Sequence, residues 1–322
     1  MASLASFTGF NVAIMTDETG WHTRRLQAAL RARGCVGRCV DLADCRIDTT
    51  AAWHGLVIPG FGRDLPDAVL VRGIAGGTFE QVTKRLGVLH ALRELGRPVY
   101  NDARAIERSV DKSMTSLLLH MARIPTPPTW ATESQAQAQR IAIREGAAGH
   151  ALVVKPLFGS QGQGLQLVGQ VDGVHHALPD IAAAYGSLAY LQRFIPALTT
   201  PGFDWRVLVV GGRAVTAMRR VSNHWIHNIA QGARCEPADL TPELAHLAEG
   251  AALALGMDYA GVDLMPTARH GTQVIEVNGV AAWQGLQRVT GFDIARCIVD
   301  DLLDRKVAGA LPAAQAGLPR QA

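Results

Sequence analysis

The sequence predicts a protein of mixed α/β class: a mostly parallel α/β lobe first, then sections in which strand signals dominate. Two observations carry this. Over the first hundred residues, apolar strand-like runs alternate with helical patterns, the order expected of a parallel sheet with crossover helices. Then Ile124-Pro125-Thr126-Pro127-Pro128-Thr129 cannot be helical, because proline lacks an amide hydrogen and biases the residue before it away from helix. That proline cluster is the best inner boundary.

In chain order, Asn11-Val12-Ala13-Ile14-Met15 reads as the first strand. A helix over about Trp21 to Arg33 follows and ends at Gly34. Strands are expected at Arg38–Leu42, Gly55–Pro59 and Ala68–Val71. A long helix, about Thr78–Leu95, ends at Gly96, and Pro98-Val99-Tyr100-Asn101 starts another short strand. A helix from about Asp111 to Ala122 leads into the proline cluster. Beyond it come a helix over about Ser134–Glu145 and a glycine hairpin. From about Tyr190 strand signals dominate, and the ordered chain closes in a helix near Asp293–Leu303. From Val307 onward the residues are mainly Ala, Gly, Pro and Gln and read as a frayed tail. The expected division is 1–100, 101–189, 190–306 and a tail of 307–322, with no internal repeat.

A length of 322 residues allows two or three lobes and a sizeable core. A hydrophobic fraction of 48% and a charged fraction of 18% are those of a globular protein. The net charge of +3 implies no strong affinity for polyanions, so nucleic acid is not expected as a partner. No apolar run approaches the length that spans a bilayer, so no membrane partner is expected. Met1–Phe7 lack the basic start and long apolar stretch of a secretory signal. Five cysteines, an odd number, suit a reduced cytoplasmic setting; Cys35, Cys39 and Cys45 cluster without a common zinc spacing.

The chemistry concentrates near the C-terminal end. Gly261-Val262-Asp263-Leu264-Met265 and Gln273-Val274-Ile275-Glu276-Val277-Asn278-Gly279 both alternate apolar and polar residues, the period of a half-buried strand. Paired antiparallel with Leu264 opposite Ile275, they set Asp263 opposite Glu276, with Asn278 further along the same face. Leu264, Ile275 and Val277 then point to the core. Two carboxylates and an amide oxygen on one face make a hard-oxygen site suited to Mg²⁺ beside phosphates. A solvated hairpin accounts for the same pattern when it is taken alone.

Ala151-Leu152-Val153-Val154-Lys155-Pro156 is an apolar strand ending in lysine. It runs into Leu157-Phe158-Gly159-Ser160-Gln161-Gly162-Gln163-Gly164 and a second strand, Leu165–Val168. Such a turn lets backbone amides close over phosphate oxygens, although most three-glycine loops are simply turns. It matches neither Gly-x-x-x-x-Gly-Lys-Ser/Thr nor Gly-x-Gly-x-x-Gly opening a helix. Lys112, behind a capping Asp111, is by itself an ordinary solvated lysine. Leu191-Gln192-Arg193-Phe194-Ile195-Pro196 reads as an extended edge able to offer backbone groups to adenine, or as a plain core strand. Arg72, in Leu70-Val71-Arg72-Gly73, faces either a cleft or solvent.

The order of these elements is more specific than any one of them. It runs Lys112, Val-Val-Lys-Pro with its glycine loop, Leu-Gln-Arg-Phe-Ile, Phe203-Asp204-Trp205-Arg206-Val207 and Ala217-Met218-Arg219-Arg220. It continues with Asn228 and Gly232, Gly-Val-Asp, and Glu-Val-Asn. In this order, over about residues 65–303, the chain resembles the RimK-type branch of ATP-grasp amino-acid ligases. The resemblance implies a three-lobed fold in which an N-terminal parallel α/β lobe precedes two α+β subdomains that enclose ATP. It implies that Lys112 and Lys155 bind nucleotide, that Ser160, Gln161, Gly162 and Gly164 lie in a mobile loop over the phosphates, and that Gln192, Arg193, Phe194 and Ile195 lie at the adenine edge. Asp204 falls at a nucleotide-contacting position. Arg206, Arg220 and Asn228 fall at catalytic positions, and Asp263, Glu276 and Asn278 match the metal trio for one or two Mg²⁺ ions, with Mn²⁺ as a substitute.

The implied reaction is ATP-dependent joining of a carboxylate to an amine through an acyl phosphate, with glutamate as the added amino acid. The acceptor would be a small molecule, a C1-carrier coenzyme such as a pterin or furan, or a peptide end. Relatives are commonly oligomers, but the sequence carries no self-association pattern. One departure is specific. RimK has an arginine and a serine before the asparagine, where this chain has Ile226 and His227 before Asn228. Isoleucine cannot pair with a carboxylate or phosphate, which argues against RimK's ribosomal-protein tail as substrate. Two other classes compete: a non-catalytic ATP-binding regulatory protein on the same scaffold, and a dinucleotide-dependent oxidoreductase. The missing Gly-x-Gly-x-x-Gly after the first strand counts against the latter.

Overall fold

The computed structural model describes residues 7–159 and 161–310. The first sheet is parallel, in the order β2-β1-β5-β6. Its strands are β1 (Asn11–Met15), β2 (Val36–Val40), β5 (Ala68–Val71) and β6 (Val99–Tyr100), while β3 (Arg46–Ile47) and β4 (Leu56–Val57) form a separate ladder. The inner strands are apolar on both sides because helices cover both faces. Val12, Ile14, Ala68 and Leu70 pack with Leu26 and Leu30 of α1 (Trp21–Ala32). Ala13, Met15, Val69 and Val71 pack with Val88, Leu89 and Leu92 of α2 (Phe79–Glu94). Helix α2 starts in a reciprocal cap: Thr78 Oγ1 accepts from the Gln81 amide, and Gln81 Oε1 accepts from the Thr78 amide at 3.0 Å.

The expected strand at Arg38–Leu42 lies two residues earlier, and Gly55–Pro59 pairs only through Leu56–Val57. Helix α3 (Ala103–Val110), absent from the sequence reading, precedes α4 (Lys112–Met121). Asp111 separates them, and its Oδ1 caps α4 by accepting from the amides of Ser113 at 2.8 Å and Met114 at 3.0 Å.

The second sheet is antiparallel, in the order β10-β9-β8-β11-β7. It comprises β7 (Thr129–Thr132), β8 (Leu152–Lys155), β9 (Gln166–Val171), β10 (Val174–His176) and β11 (Ala189–Arg193). Helix α5 (Gln135–Ala147) closes a small core of Ala138, Leu152, Val154, Val168 and Leu191, and α6 (Ile181–Tyr185) adds Ile181. Strand β11 corrects one expectation: it is no edge. It pairs β8 on one side and β7 on the other, so its ladder groups are spent within the sheet. The division expected at 190 therefore falls inside β11, and the chain crosses to the third sheet between Arg193 and Gly202.

The third sheet is antiparallel, β14-β13-β12-β15-β16. Its strands are β12 (Gly202–Val210), β13 (Arg213–Ser222), β14 (Arg234–Ala238), β15 (Tyr259–Thr267) and β16 (Gly271–Asn278). One face packs Val207, Val209, Val262, Leu264, Val274 and Val277 under α7 (Pro242–Leu255). The other face shares a single core with the first sheet, α8 (Gln284–Val289) and α9 (Ile294–Asp301). Helix α9 runs on through a π-helical turn, Leu302–Val307. The frayed tail expected from Val307 is thus corrected: Val307 is 1% exposed in that core. Residues 311–322 lie outside the described residues.

Asn101 stitches the first lobe to the third sheet. Fully buried, it donates Nδ2 to the carbonyls of Tyr259 at 2.7 Å and Gly279 at 2.6 Å. Its Oδ1 accepts from the amides of Asp258 at 2.6 Å and Tyr259 at 3.0 Å. Beside it the rings of Tyr100 and Tyr259 stack at 5.7 Å.

Candidate active site

Between the second and third sheets lies a cleft lined by residues of both. The β15–β16 hairpin supplies its acidic floor. Asp263 pairs with Glu276, as expected, but the register slips by one residue immediately afterwards, and Leu264 pairs with Val274. Ile275 is the extra residue of a β-bulge, which re-aims its side chain. The expectation that Ile275 enters the core is thereby corrected: it is half-buried and lines the cleft next to Glu276, while Val274 takes the core position.

The same face of the sheet carries a lateral row of charge. Arg206 stands opposite Asp263 across β12 and β15, and Asp204 opposite Arg220 across β12 and β13. Arg206 grips Asp263 through Nε and, at 2.8 Å, through Nη2. Arg220 donates to Asp204 at 2.8 and 2.5 Å and reaches Asp263 at 3.0 Å. Burial alone would push the Asp263 carboxyl up, but the two arginines outweigh it and hold it below the usual range. In Asp204 burial wins and pushes the carboxyl up to about 6, against the pull of Arg220. Burial also presses on the Arg220 guanidinium, yet its two carboxylate partners raise its pKa.

Two lysines face this row. Burial lowers Lys155 to about 8; its Nζ donates to Gln192 Oε1 at 2.6 Å. Burial also lowers Lys112, whose Nζ donates to the carbonyls of Leu157 at 3.3 Å and Gly159 at 2.7 Å and stands 3.9 Å from Glu276. Lys112 therefore pins the root of the glycine loop. The loop folds across the cleft onto the third sheet's 226–231 segment, with Gln231 Nε2 donating to the Gln161 carbonyl at 3.2 Å. At Gly162, where φ is +72°, a Cβ would sit 2.7 Å from Ile226 Cγ2 and 2.8 Å from Asn228 Oδ1. Only glycine lets the two sides meet that closely.

The cleft thus gathers Lys112, Lys155, Gln161, Gly162, Gln192 and Arg193 from the sequence reading, with Phe194, Ile195, Asp204, Arg220, Asn228, Asp263 and Glu276. Three expected residues are placed otherwise, and a fourth is not described. Arg206 is buried and does not line the cleft; its Nε and Nη2 donate to Asp263. Gly164 sits at the loop's exit, where its carbonyl accepts from Tyr185 Oη at 2.8 Å. Asn278 lies beside the cleft, with Nδ2 donating to the Gly261 carbonyl at 3.3 Å. Ser160 lies outside the described residues. Arg193 turns its side chain away to Glu145, at 3.2 and 2.7 Å, and its amide bonds to Pro128, so only its chain position reaches the cleft. The Phe194 amide is likewise taken, by Ala151 at 2.9 Å.

Sequence reasoning missed the apolar walls. Val153, Leu165 and Met265 line the cleft, and Trp225 meets Phe194 edge-on at 5.9 Å. Val153 and Met265 sit in strands, where their pattern is that of any core residue, and Leu165 and Trp225 lie outside the strands with no local signal. His227 is 4% exposed, and burial, then Arg220, lower it to about 4.

Among the described residues no helix is long and apolar enough to cross a membrane, and all five cysteines are free thiols.

The family model for the RimK-like ATP-grasp domain matches residues 109–302, and that for the RimK pre-ATP-grasp domain matches residues 10–106. This chain belongs to the RimK-like ATP-grasp family. It is an ATP-dependent carboxylate–amine ligase. The chain is 30% identical to the tetrahydromethanopterin:alpha-L-glutamate ligase of Methanosarcina acetivorans, covering 89% of this chain and 97% of that protein. It is 32% identical to a probable alpha-L-glutamate ligase of Aeromonas salmonicida, over 90% of this chain and 95% of that one. In fold it resembles the ATP-grasp ligase PsnB complexed with minimal precursor, Mg and ADP, with a TM-score of 0.65 at 20% identity, covering 94% and 98% of the two chains. A RimK domain protein from Sphaerobacter thermophilus gives a TM-score of 0.64 at 24% identity, covering 91% and 99%. The three-lobed ATP-grasp architecture read from the sequence is the one observed.

Proposed function

We propose that this RimK-like ligase adds glutamate to a carboxylate of a small-molecule or coenzyme acceptor, a pterin-type C1 carrier before a peptide end, in a cytoplasmic setting. One observation carries the site: the Asp263–Glu276 pair faces Lys112 and Lys155 across a single cleft roofed by the glycine loop. The acceptor class is supported by the relative named for tetrahydromethanopterin and glutamate, matched over nearly the whole of both chains.

The donor set fits Mg²⁺. Asp263 and Glu276 offer hard oxygens on one sheet face, and the Asn278 amide, anchored through Nδ2, keeps its oxygen free. Among the described residues there is no group of three or more His, Cys, Asp or Glu side chains that could hold a metal by itself. Asp263, Glu276 and Asn278 would hold the ion, which would offset the negative charge that develops on the phosphates.

The residues of the chain then divide the work. Lys155 and Lys112 place charge at the phosphates, and Phe194, Ile195 and Trp225 wall the base. The acceptor carboxylate attacks the γ-phosphorus in line, giving an acyl phosphate and ADP. Glutamate's amine attacks the acyl carbon, and phosphate leaves. Arg220 stabilises the oxygens of the acyl phosphate from the cleft wall, and Arg206 holds Asp263 in register for the ion. Asn228 seats the loop tip at Gly162, and the closed loop keeps water from the acyl phosphate.

The test is ADP release by the purified protein with Mg-ATP and glutamate across acceptor pools, followed by mass spectrometry. The expected result is an acceptor heavier by one glutamate residue. Tight Mg-ATP binding without ADP release in any pool, pterins and furans included, would count against this acceptor assignment.

A further inference from the structure

We propose that Arg72 is the anchor for a carboxylate of the incoming amino acid, in a crevice between the first sheet and the segment that follows Asn278. The inference rests on the ligase reading above and adds the place where the amine-bearing substrate docks.

Topology marks the place. The chain runs from β1 outward to β2 and then returns to the other side of β1 as β5, so the winding direction reverses between β1 and β5. In open parallel sheets a crevice forms at the carboxyl ends of the strands at such a reversal, and ligands bind in it. Arg72 is the first residue beyond β5, and its amide donates to the Met15 carbonyl at the end of β1, at 2.8 Å. The side chain therefore stands on the seam.

The segment facing Arg72 continues directly from β16, which carries Glu276 and Asn278. Arg72 Nη1 donates to the Val280 carbonyl at 3.3 Å, two residues beyond Asn278. The facing segment is held in place: the Trp283 amide donates to His22 Nε2 at 3.2 Å, and the Gly279 carbonyl accepts from Asn101. The other wall, residues 73–77, is tied by buried Arg85, which donates to the carbonyls of Ala75 at 2.7 Å and Gly76 at 2.8 Å.

The guanidinium itself is under-used. It is half-buried, its Nε is buried without a hydrogen-bond partner, and no carboxylate among the described residues pairs with it. The nearby carboxylate, Asp17, is exposed and makes no ion pair with it. His22 does not substitute for it: burial, then Arg72 itself, lower the imidazole to about 4, so it is neutral. A half-buried arginine left without a counter-ion is suited to a planar anion with two oxygens. That anion is not the reacting carboxylate, which must lie at the phosphates beside Lys155 and Glu276. It is a carboxylate that survives the reaction, and the incoming amino acid carries one.

The experiment uses the full chain with Arg72→Gln and Arg72→Lys. With an acceptor in hand, Arg72→Gln is expected to raise the KM for glutamate about 10- to 100-fold, the loss of a charge-assisted hydrogen-bond pair. KM for ATP and for the acceptor should stay as in the wild type, and Arg72→Lys should recover part of the loss. Glutamine and the α-amide of glutamate identify the carboxylate concerned. The amide that lacks it should be a poor substrate for the wild type and no worse for Arg72→Gln. An unchanged KM for glutamate, or a rise confined to the acceptor, overturns the proposal. If the wild type releases no ADP with any pool, the acceptor reading fails separately. Arg72 is then read by glutamate binding to the protein loaded with a non-hydrolysable ATP analogue and Mg²⁺, where equal Kd values for wild type and Arg72→Gln overturn it.

Discussion

At the scale of single residues, the charge row explains why so few positions carry the chemistry. Glu276 is the carboxylate of the row without an arginine clamp, and its side chain is 29% exposed toward the cleft. If Glu276 holds the ion as proposed, substitution by alanine removes a ligand worth several kcal/mol in the transition state, so kcat/KM should fall by about 10³-fold or more with the fold intact. Turnover within tenfold of the wild type would remove Glu276 from the metal site. Lys155 makes a second test. Burial lowers it to about 8 in the free enzyme. A polyphosphate beside Nζ favours the ammonium form and raises that value again. The sign follows: at a pH of about 8.5, ATP binding takes up a proton, and affinity declines as the pH climbs further. Calorimetry in two buffers of different ionisation enthalpy reads the uptake, and Lys155→Arg, always charged, should abolish it. Equal proton uptake in both proteins would contradict the assignment. Both residues stood out in the sequence: Glu276 within a strand whose alternation is plain, and Lys155 as the charged end of an apolar strand. The arginine clamp on Asp263 was not. It depends on β12 lying beside β15, a pairing more than fifty residues apart that no local pattern encodes.

Single elements repeat that division. Strands and helices with strong periodicity stand where the sequence put them: β1 and β5 coincide with their expected spans, and α2 (Phe79–Glu94) lies within the expected Thr78–Leu95. The bulge at Ile275 escaped because a register slip leaves the apolar–polar alternation unchanged on paper while turning one side chain to the other face. Helix α3 escaped because eight residues give barely two turns of periodicity. The glycine loop is the element with the sharpest prediction. Gly162→Ala meets Ile226 and Asn228 and adds a strained φ, so the loop tip cannot seat. If the loop excludes water as proposed, opening it should uncouple the reaction. ADP should then exceed product, where the wild type gives one of each, and the ratio measured by chromatography checks it. A ratio that stays at unity would show that the loop tip does not guard the acyl phosphate.

The whole molecule is two mechanical bodies. The first lobe and the third sheet share one hydrophobic core, whereas the second sheet closes its own around α5. Asn101 completes four hydrogen bonds inside the shared seam. Ion pairs reinforce it from outside, where Arg33 meets Asp300 and Asp304 on the last helix. Asn101→Ala leaves four buried main-chain groups without that partner and should cost about 3–5 kcal/mol, read as a shift in the urea midpoint. A shift below about 1 kcal/mol would mean that the seam relaxes around the loss. Every partner of that side chain is a main-chain group, and this has a practical consequence. A joint that reads backbone is indifferent to the side chains of the sheet it grips. Other contacts across the seam do depend on side chains, among them the stacked Tyr100–Tyr259 rings, the Tyr100 hydroxyl on Asp301, the Arg33 pairs and the Trp21 and His22 rings against Trp283. A substitution at Asp258 that keeps the main chain in place would therefore leave the Asn101 hydrogen bonds intact, whereas one at Asn101 has no such freedom.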